Sequence, residues 1–498
     1  MGFNKLLFKI IFIMGIIIGV VAFSGCLTDT PYQTENIVFM PNFTIIGDVE
    51  NPLSIGCMKQ FEMNELTVDG EIVNAISLYA IIEKSDPISK NNTILFKSHD
   101  GFGASICGNQ IQASYIIFDN TDGWCVINLN HTATANVDNI KEIIITSLLD
   151  EREWRDGIGI ITPYRNIGSK TIGEVLKSGY EIRRFYKGGP GVEYRIGVHL
   201  SKRVISFNDF LKNAPMEEIS SAIIIGMNGY EYHTSDMSGY FELNPTNKIN
   251  YISEDGRLLI KGVRGVVLNP PKWRVTDTFH DAKYYLEDGK RVLIIVADGF
   301  GYYQYQHAIN NEYAPFLTTL KAPRKAMTVY RSVTNAGMAS IITGQLPEYT
   351  GVSHRERHLN VQSIYGVALD LGLKPVLIDE RVKTLNIEID PVFNLDRNDD
   401  GFTSDEIFES AIKRFDDGYD LMVIHFHDID SVGHLYGPFA NETMNAITIF
   451  DGHAKELIEN WDGKVIIVSD HGMHAVPEGG VHGTTRFEDM MVPYLVIG

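Results

Sequence analysis

Cysteine is scarce: four in a chain of 498 residues. That excludes a disulfide-dense scaffold, and without any C-x-x-C spacing a cysteine-based zinc site has no support. Basic residues are also few, 43 Lys and Arg against 63 Asp and Glu, leaving a net charge of −20. A field of that sign repels polyanions, so binding to a nucleic-acid duplex is not expected. The balance of 44% hydrophobic and 21% charged residues excludes a mainly disordered, collagen-like or coiled-coil chain. At roughly 100–200 residues per domain, the length predicts two to four domains.

The N-terminus carries a targeting pattern. Lys5 and Lys9 precede an apolar run from Ile10 to Phe23. Fourteen residues are short for a membrane helix, which needs roughly 20, but they suit the core of an export signal. The run closes on Phe23-Ser24-Gly25-Cys26, which resembles a lipobox and makes Cys26 the candidate lipid attachment site. An uncleaved anchor helix counted from Leu6 is the alternative. Both readings predict tethering at the cell membrane with the remainder outside the cytoplasm. Asn42, Asn91, Asn130 and Asn441 each open an N-x-[ST] triplet, compatible with export. In an oxidising compartment Cys107 and Cys125 could pair, leaving Cys57 as an odd buried thiol.

Between these ends the chain repeats itself. Ile76-Ser77-Leu78 and Ile205-Ser206-Phe207 each open a short amphipathic helix. Each leads to an apolar strand, Ile94–Phe96 or Ile223–Ile225, and then to a turn and an aromatic, Asp100-Gly101-Phe102 or Asn228-Gly229-Tyr230. The near-constant offset predicts a duplicated mixed α/β accessory module at 38–148 and 165–272. The first copy also resembles the molybdopterin-binding domain fold of sulfite oxidases, through Gly47-Asp48-Val49-Glu50-Asn51-Pro52-Leu53, Ile76-Ser77-Leu78 and Ser98-His99-Asp100-Gly101-Phe102. No counterpart of that family's metal-binding cysteine is present, so the resemblance implies a fold and not redox chemistry. Pro270 to Gly289 reads as a linker.

From Arg291 the pattern changes. Val292–Ala297 is apolar without alternation, as expected of a parallel strand buried on both faces, and it ends in Asp298. Leu421–Phe426 likewise leads to Asp430 and His434, and Val465–Val468 to Asp470 and His471; His482 follows in Gly480-Val481-His482-Gly483. In open α/β sheets, ligands bind at the carboxyl ends of strands. Three carboxylates and three imidazoles delivered there form a ligand set for two divalent ions, zinc or manganese. Thr334 opens a run of small residues ending at Thr343-Gly344, a helix whose N-terminus would hold a phosphate. Ser332 is a rival nucleophile with poorer spacing to Gly344. His425, His427 and Asp428 read as supporting residues. His354, Arg355, Arg357 and His358 read as a solvated basic loop or a phosphate grip, and Tyr302, Tyr303 and Tyr305 as packing or a pocket wall.

These motifs together resemble the alkaline phosphatase superfamily, most closely its type I phosphodiesterase/nucleotide pyrophosphatase branch, over about 288–498. The matching residues are Asp298-Gly299-Phe300, Thr334 with Thr343-Gly344 and Pro347-Glu348, Asp430-x-x-Gly433-His434-x-x-Gly437-Pro438, Asp470-His471-Gly472-Met473, and His482-Gly483. The resemblance implies a doubly wound α/β domain with a mostly parallel sheet, and hydrolysis of phosphate esters, diesters first, through a phospho-threonine on Thr334. Asp430, His434 and His482 would hold one divalent ion, and Asp298, Thr334, Asp470 and His471 the other. The substrate would be a small phosphate ester or a lipid headgroup. Phosphomonoester or phosphonate hydrolysis, and headgroup transfer, use the same chemistry; an inactive surface binding protein is the non-enzymatic alternative. Two positions depart from the branch. Gly337 stands where an Asn usually contacts the phosphoryl group, which leaves that role to the Asn335 side chain or to its backbone N–H, and Thr350-Gly351 stands where His-Gly is common.

Overall fold

The computed structural model describes residues 40–498 except 69, 133–134, 148–156, 187–198, 213–217, 245–246 and 381–382. The segment expected to be an export signal, with Cys26, lies outside the described residues. No helix among the described residues is long and apolar enough to cross a membrane. Asn42–Gly498 forms one compact unit.

Two five-stranded sheets in the first half share one topology. The first runs Leu53–Ile55, Phe43–Gly47, Ile140–Ser147, Asn92–Ser98, Gly103–Cys107; the second runs Arg165–Lys170, Ile158–Thr162, Val263–Leu268, Ala222–Gly226, Glu231–Thr234. In both, the second and third strands pair in parallel and the other neighbours are antiparallel. Each copy adds a second, antiparallel sheet whose strand ends on a serine that caps a helix. Ser77 accepts from the Ala80 N–H and Ser206 from the Asp209 N–H. The second copy begins with the strand at Ile158, ahead of the expected 165.

The copies stack in series. Ile144, with Ile46 and Leu95, packs onto Val175 and Leu176 of the second copy. The residues at the same register positions in the second copy are Ile161, Val267 and Ile223. These pack onto Met327, Tyr330, Met490 and Met491 of the C-terminal domain. Among the described residues the three cysteines are free thiols. Cys107 ends an edge strand of one sheet while Cys125 lies in the other sheet of its copy, so the two do not pair, and Cys57 is exposed rather than buried.

The C-terminal domain is built on β1 (Val292–Ala297), β2 (Arg324–Met327), β3 (Pro375–Glu380), β4 (Leu421–Phe426), β5 (Lys464–Val468) and β6 (Met491–Ile497). The eight-stranded sheet has the order Trp273–Arg274, β2, β6, β5, β1, β4, β3, Val392–Asn394, and β6 alone runs antiparallel to its neighbours. Alternate residues of β1 enter opposite cores. Leu293, Ile295 and Ala297 join one, while Val292, Ile294 and Val296 join the other. Helices cover both faces, which is why the strand reads as an unbroken apolar run. The mostly parallel, doubly wound α/β class expected for this domain is the one present.

The stretch expected to link the domains belongs to the sheet domain. Trp273–Arg274 is its edge strand, and Val275, Ala282 and Leu286 pack into its core through the helix Asp277–Glu287. Arg274 also clamps Glu231 of the second copy, Nη1 and Nη2 donating to the two carboxylate oxygens at 2.8 and 2.7 Å. Burial opposes ionisation of Glu231, but Arg274 and then His233 outweigh it and hold the carboxyl below its usual range. The pair therefore stabilises the fold above the ordinary carboxylate pKa, and that contribution is lost as pH falls through the depressed value. Glu231→Ala, which strands a mostly buried guanidinium, is expected to cost about 3–5 kcal/mol at neutral pH in denaturant melts.

Candidate metal-dependent active site

Because β1, β4 and β5 are parallel neighbours, their carboxyl ends open on one edge of the sheet, and each delivers ligating residues there. Asp298 follows β1. After β4 the chain turns into α2 (Asp428–Tyr436), where Asp430 and His434, four residues apart, share a helix face. Asp470 and His471 follow β5. His482 follows a short hairpin, His474–Val476 with Gly479–Val481. Thr334 is the first residue of α1 (Thr334–Thr343).

All seven residues come together. His434 Nε2 lies 3.3 Å from Asp430 Oδ2 and 3.1 Å from His482 Nε2, and His482 Nε2 lies 3.7 Å from Asp430 Oδ1. Beside this group, His471 Nε2 lies 3.2 Å from Asp298 Oδ1, 3.5 Å from Asp470 Oδ2 and 3.3 Å from Thr334 Oγ1. The His471 and His482 rings stack at 3.9 Å between centroids, joining the two groups.

The donor set fits cations. His434, His471 and His482 each direct Nδ1 at a backbone carbonyl, of Gly480, Gly472 and Ser332 respectively, each at 2.9 Å. A carbonyl only accepts, so each Nδ1 carries the proton and each neutral ring turns an Nε2 lone pair inward. Three buried carboxylate oxygens, Asp298 Oδ1, Asp430 Oδ1 and Asp470 Oδ2, accept no hydrogen bond. Lone pairs and orphaned carboxylate oxygens facing one another repel unless a cation lies among them.

The electrostatics show the same crowding. Burial and the neighbouring Asp298 push Asp470 up to about 7. Burial opposes ionisation of Asp298, yet the neighbouring imidazoles of His425, His427 and His471 hold it well below the usual range. Burial and then the neighbouring His471 bring His482 down to about 4.

Glycines let the segments approach. A Cβ on Gly299, at φ +73°, would lie 2.8 Å from Asp430 Cβ and Oδ1. One on Gly337 would lie 2.4 Å from the Asp470 carbonyl oxygen, so α1 rests directly on the backbone of that ligand and has no room for the branch's usual Asn.

The structure assigns other roles to several residues singled out in the sequence. Asn335, expected to contact substrate, commits both protons of its side-chain amide to backbone carbonyls, of Glu356 at 3.1 Å and Thr384 at 3.0 Å. Its side chain ties down a loop instead. Ser332 is fully buried and donates to the Thr484 carbonyl at 2.8 Å, which excludes it as nucleophile. Arg355, Arg357 and His358 are exposed. Tyr305 lies in the core, and the buried Tyr303 hydroxyl donates to the Met473 carbonyl. Cys26 lies outside the described residues.

Two supporting acids escaped the sequence reading. Asp489 accepts from His474 Nδ1 at 2.7 Å, from the Thr484 N–H at 3.0 Å and from Thr484 Oγ1 at 2.7 Å, bracing the loop that carries His482. Asp379, near the end of β3, accepts from His427 Nε2 at 2.7 Å. A single Asp closing an apolar strand, the signal that singled out Asp298, marks Asp379 equally well.

Residues 373–492 match the family model of type I phosphodiesterases / nucleotide pyrophosphatases. That segment contains Asp430, His434, Asp470, His471 and His482, and the match agrees with the branch to which the motifs point. Phosphonoacetate hydrolase from Sinorhizobium meliloti 1021, solved with phosphonoformate, is similar at 20% identity over 37% of this chain and 57% of that one, with a TM-score of 0.31. Murine ectonucleotide pyrophosphatase / phosphodiesterase 5 is similar at 18% identity over 37% and 58%, with a TM-score of 0.32. The human protein of that name stands at 17% over 37% and 57%, with a TM-score of 0.31. The chain thus spans less than two thirds of the length of these structures. No curated protein sequence matches.

Proposed function

We propose that this protein is a phosphoric ester hydrolase, most suited to phosphodiesters, that works through a phospho-threonine on Thr334 with two divalent cations, zinc or manganese. The observation that carries the reading is one hydroxyl, Thr334 Oγ1, at a helix N-terminus and 3.3 Å from His471 Nε2, beside two groups of converging carboxylates and imidazoles. Asp430, His434 and His482 would hold one cation, and Asp298, Asp470, His471 and Thr334 the other. Bound there, the cations would supply Lewis-acid polarisation of the threonine hydroxyl and the leaving oxygen.

The chain's own groups do the rest. Thr334 Oγ1 forms a bond to phosphorus as the bond to the leaving oxygen breaks, and the proton lost from the threonine hydroxyl balances the one taken up by the leaving alcohol. The free N–H groups in the first turn of α1 hold a non-bridging oxygen through both steps. Water then cleaves the Oγ1–phosphorus bond, restoring the hydroxyl and releasing the phosphate monoester. Substrates of this chemistry are small phosphate esters and lipid headgroups. The N-terminal segment and Cys26 are proposed to tether the enzyme to the membrane, facing outside the cytoplasm.

The test is a panel of aryl phosphate diesters, monoesters and phosphonates. Diesters are expected to turn over fastest. Dialysis against a chelator is expected to remove activity and zinc or manganese to restore it. Turnover that survives complete metal removal would overturn the reading.

A further inference from the structure

A second cluster of histidines lies behind the proposed pair of cation sites. His425, on β4, is fully buried and sits between β1 and β3, paired in register with Val296 and one residue beyond the Ile424–Ile378 pair. Neither of its ring nitrogens has a hydrogen bond. His427 gives its Nε2 proton to Asp379 at 2.7 Å, so its neutral ring presents the Nδ1 lone pair on the other side. That lone pair faces Asp298 Oδ2 at 3.2 Å, and His425 Nε2 lies 3.5 Å from the same oxygen. Three ligand atoms, on β1's end, β4 and the loop after β4, therefore converge within 4.8 Å of one another.

We infer that Asp298 Oδ2, His425 Nε2 and His427 Nδ1 form a third cation site. Ligands about 2.0–2.1 Å from a tetrahedral ion stand about 3.3 Å from one another, which matches the two separations from Asp298 Oδ2. Two imidazoles and one carboxylate suit a divalent transition ion such as zinc, not calcium or magnesium. Asp379 supplies the outer carboxylate that orients His427, an arrangement common around metal-bound histidines. Asp298 then becomes a bridge, with Oδ1 toward His471 and Oδ2 toward the new site. His427, its side chain 12% exposed, is the most solvent-accessible of the three donors. The inference shares Asp298 with the proposed catalytic pair but rests on donors that pair does not use.

The test is metal stoichiometry of the full chain, loaded with zinc, freed of unbound metal by gel filtration and measured by elemental mass spectrometry. Wild type is expected to retain three equivalents, His427→Gln two, and Asp430→Ala to lose an ion while keeping the one held by His427. A cobalt-loaded sample is expected to lose one equivalent of ligand-field absorption in His427→Gln. If that variant does not fold, Asp379→Asn keeps all three donors and is expected to weaken only the third equivalent, by about 10–100-fold. Two equivalents in wild type and the same two in His427→Gln would overturn this site and leave the catalytic pair standing. One equivalent in wild type, lost in His427→Gln and kept in Asp430→Ala, would overturn the pair and leave this site standing.

Discussion

Thr334→Ala is expected to lower turnover of aryl phosphate diesters by at least about a thousand-fold, with the two equivalents of metal at the catalytic pair still held by the remaining ligands. The size reflects removal of the atom that forms the new bond rather than one that steadies it. Every carboxylate and imidazole of the two groups remains, so the variant should still bind substrate and cations. Thr334→Ser restores an oxygen at the same place and is expected to recover much of the rate. Equal rates for wild type and Thr334→Ala would overturn the assignment of the nucleophile, whatever the metal count.

Gly337→Ala should be nearly as damaging although position 337 carries no functional side chain. Its Cβ would meet the Asp470 carbonyl oxygen at 2.4 Å, and backbone on both sides cannot yield as a flexible side chain would. Either α1 lifts or the Asp470-His471 segment moves, and both change the spacing between Thr334 Oγ1 and His471. Overpacking of this kind costs about 1–3 kcal/mol in stability. A displacement near 1 Å at a reacting group costs about a hundred-fold in rate. Thermal melts and kcat measured together would separate the two effects. Wild-type kcat in Gly337→Ala would show that the helix does not set the position of the threonine.

Much of this site was legible because its chemistry is local in sequence. An apolar run that stops at an Asp announces both a buried parallel strand and a ligand at its end, and three such runs specify one edge of one sheet. Thr334 could be read because helix start, small residues and Gly344 stand in a fixed order. Contacts between distant segments were not legible. Nothing in the sequence ties Asn335 to the carbonyls of Glu356 and Thr384, so an amide beside the nucleophile read as a substrate contact. Gly337 read as a missing Asn because the Asp470 backbone, its real neighbour, is more than a hundred residues away. The stretch around Asp277–Glu287 read as a linker because polar residues mask the spacing of Thr278, Ala282 and Leu286, which face the core. In the accessory module the repeat was visible from short motifs, whereas its start at Ile158 was not, because the strand there lacks a matching turn signal.

Tandem duplication usually leaves a sticky surface to spare. When a unit docks through one face onto a different face of its neighbour, the contact repeats without limit, and such head-to-tail geometry is how filaments grow. Here the first copy spends its sheet face on the second, and the second spends the equivalent face on the β2 and β6 side of the sheet domain. The sheet domain thus terminates the series, as a capping unit does in a solenoid. Among the described residues, neither copy keeps that face free to recruit another molecule. The duplication is closed, and growth of fibres through this surface is blocked by the C-terminal domain itself.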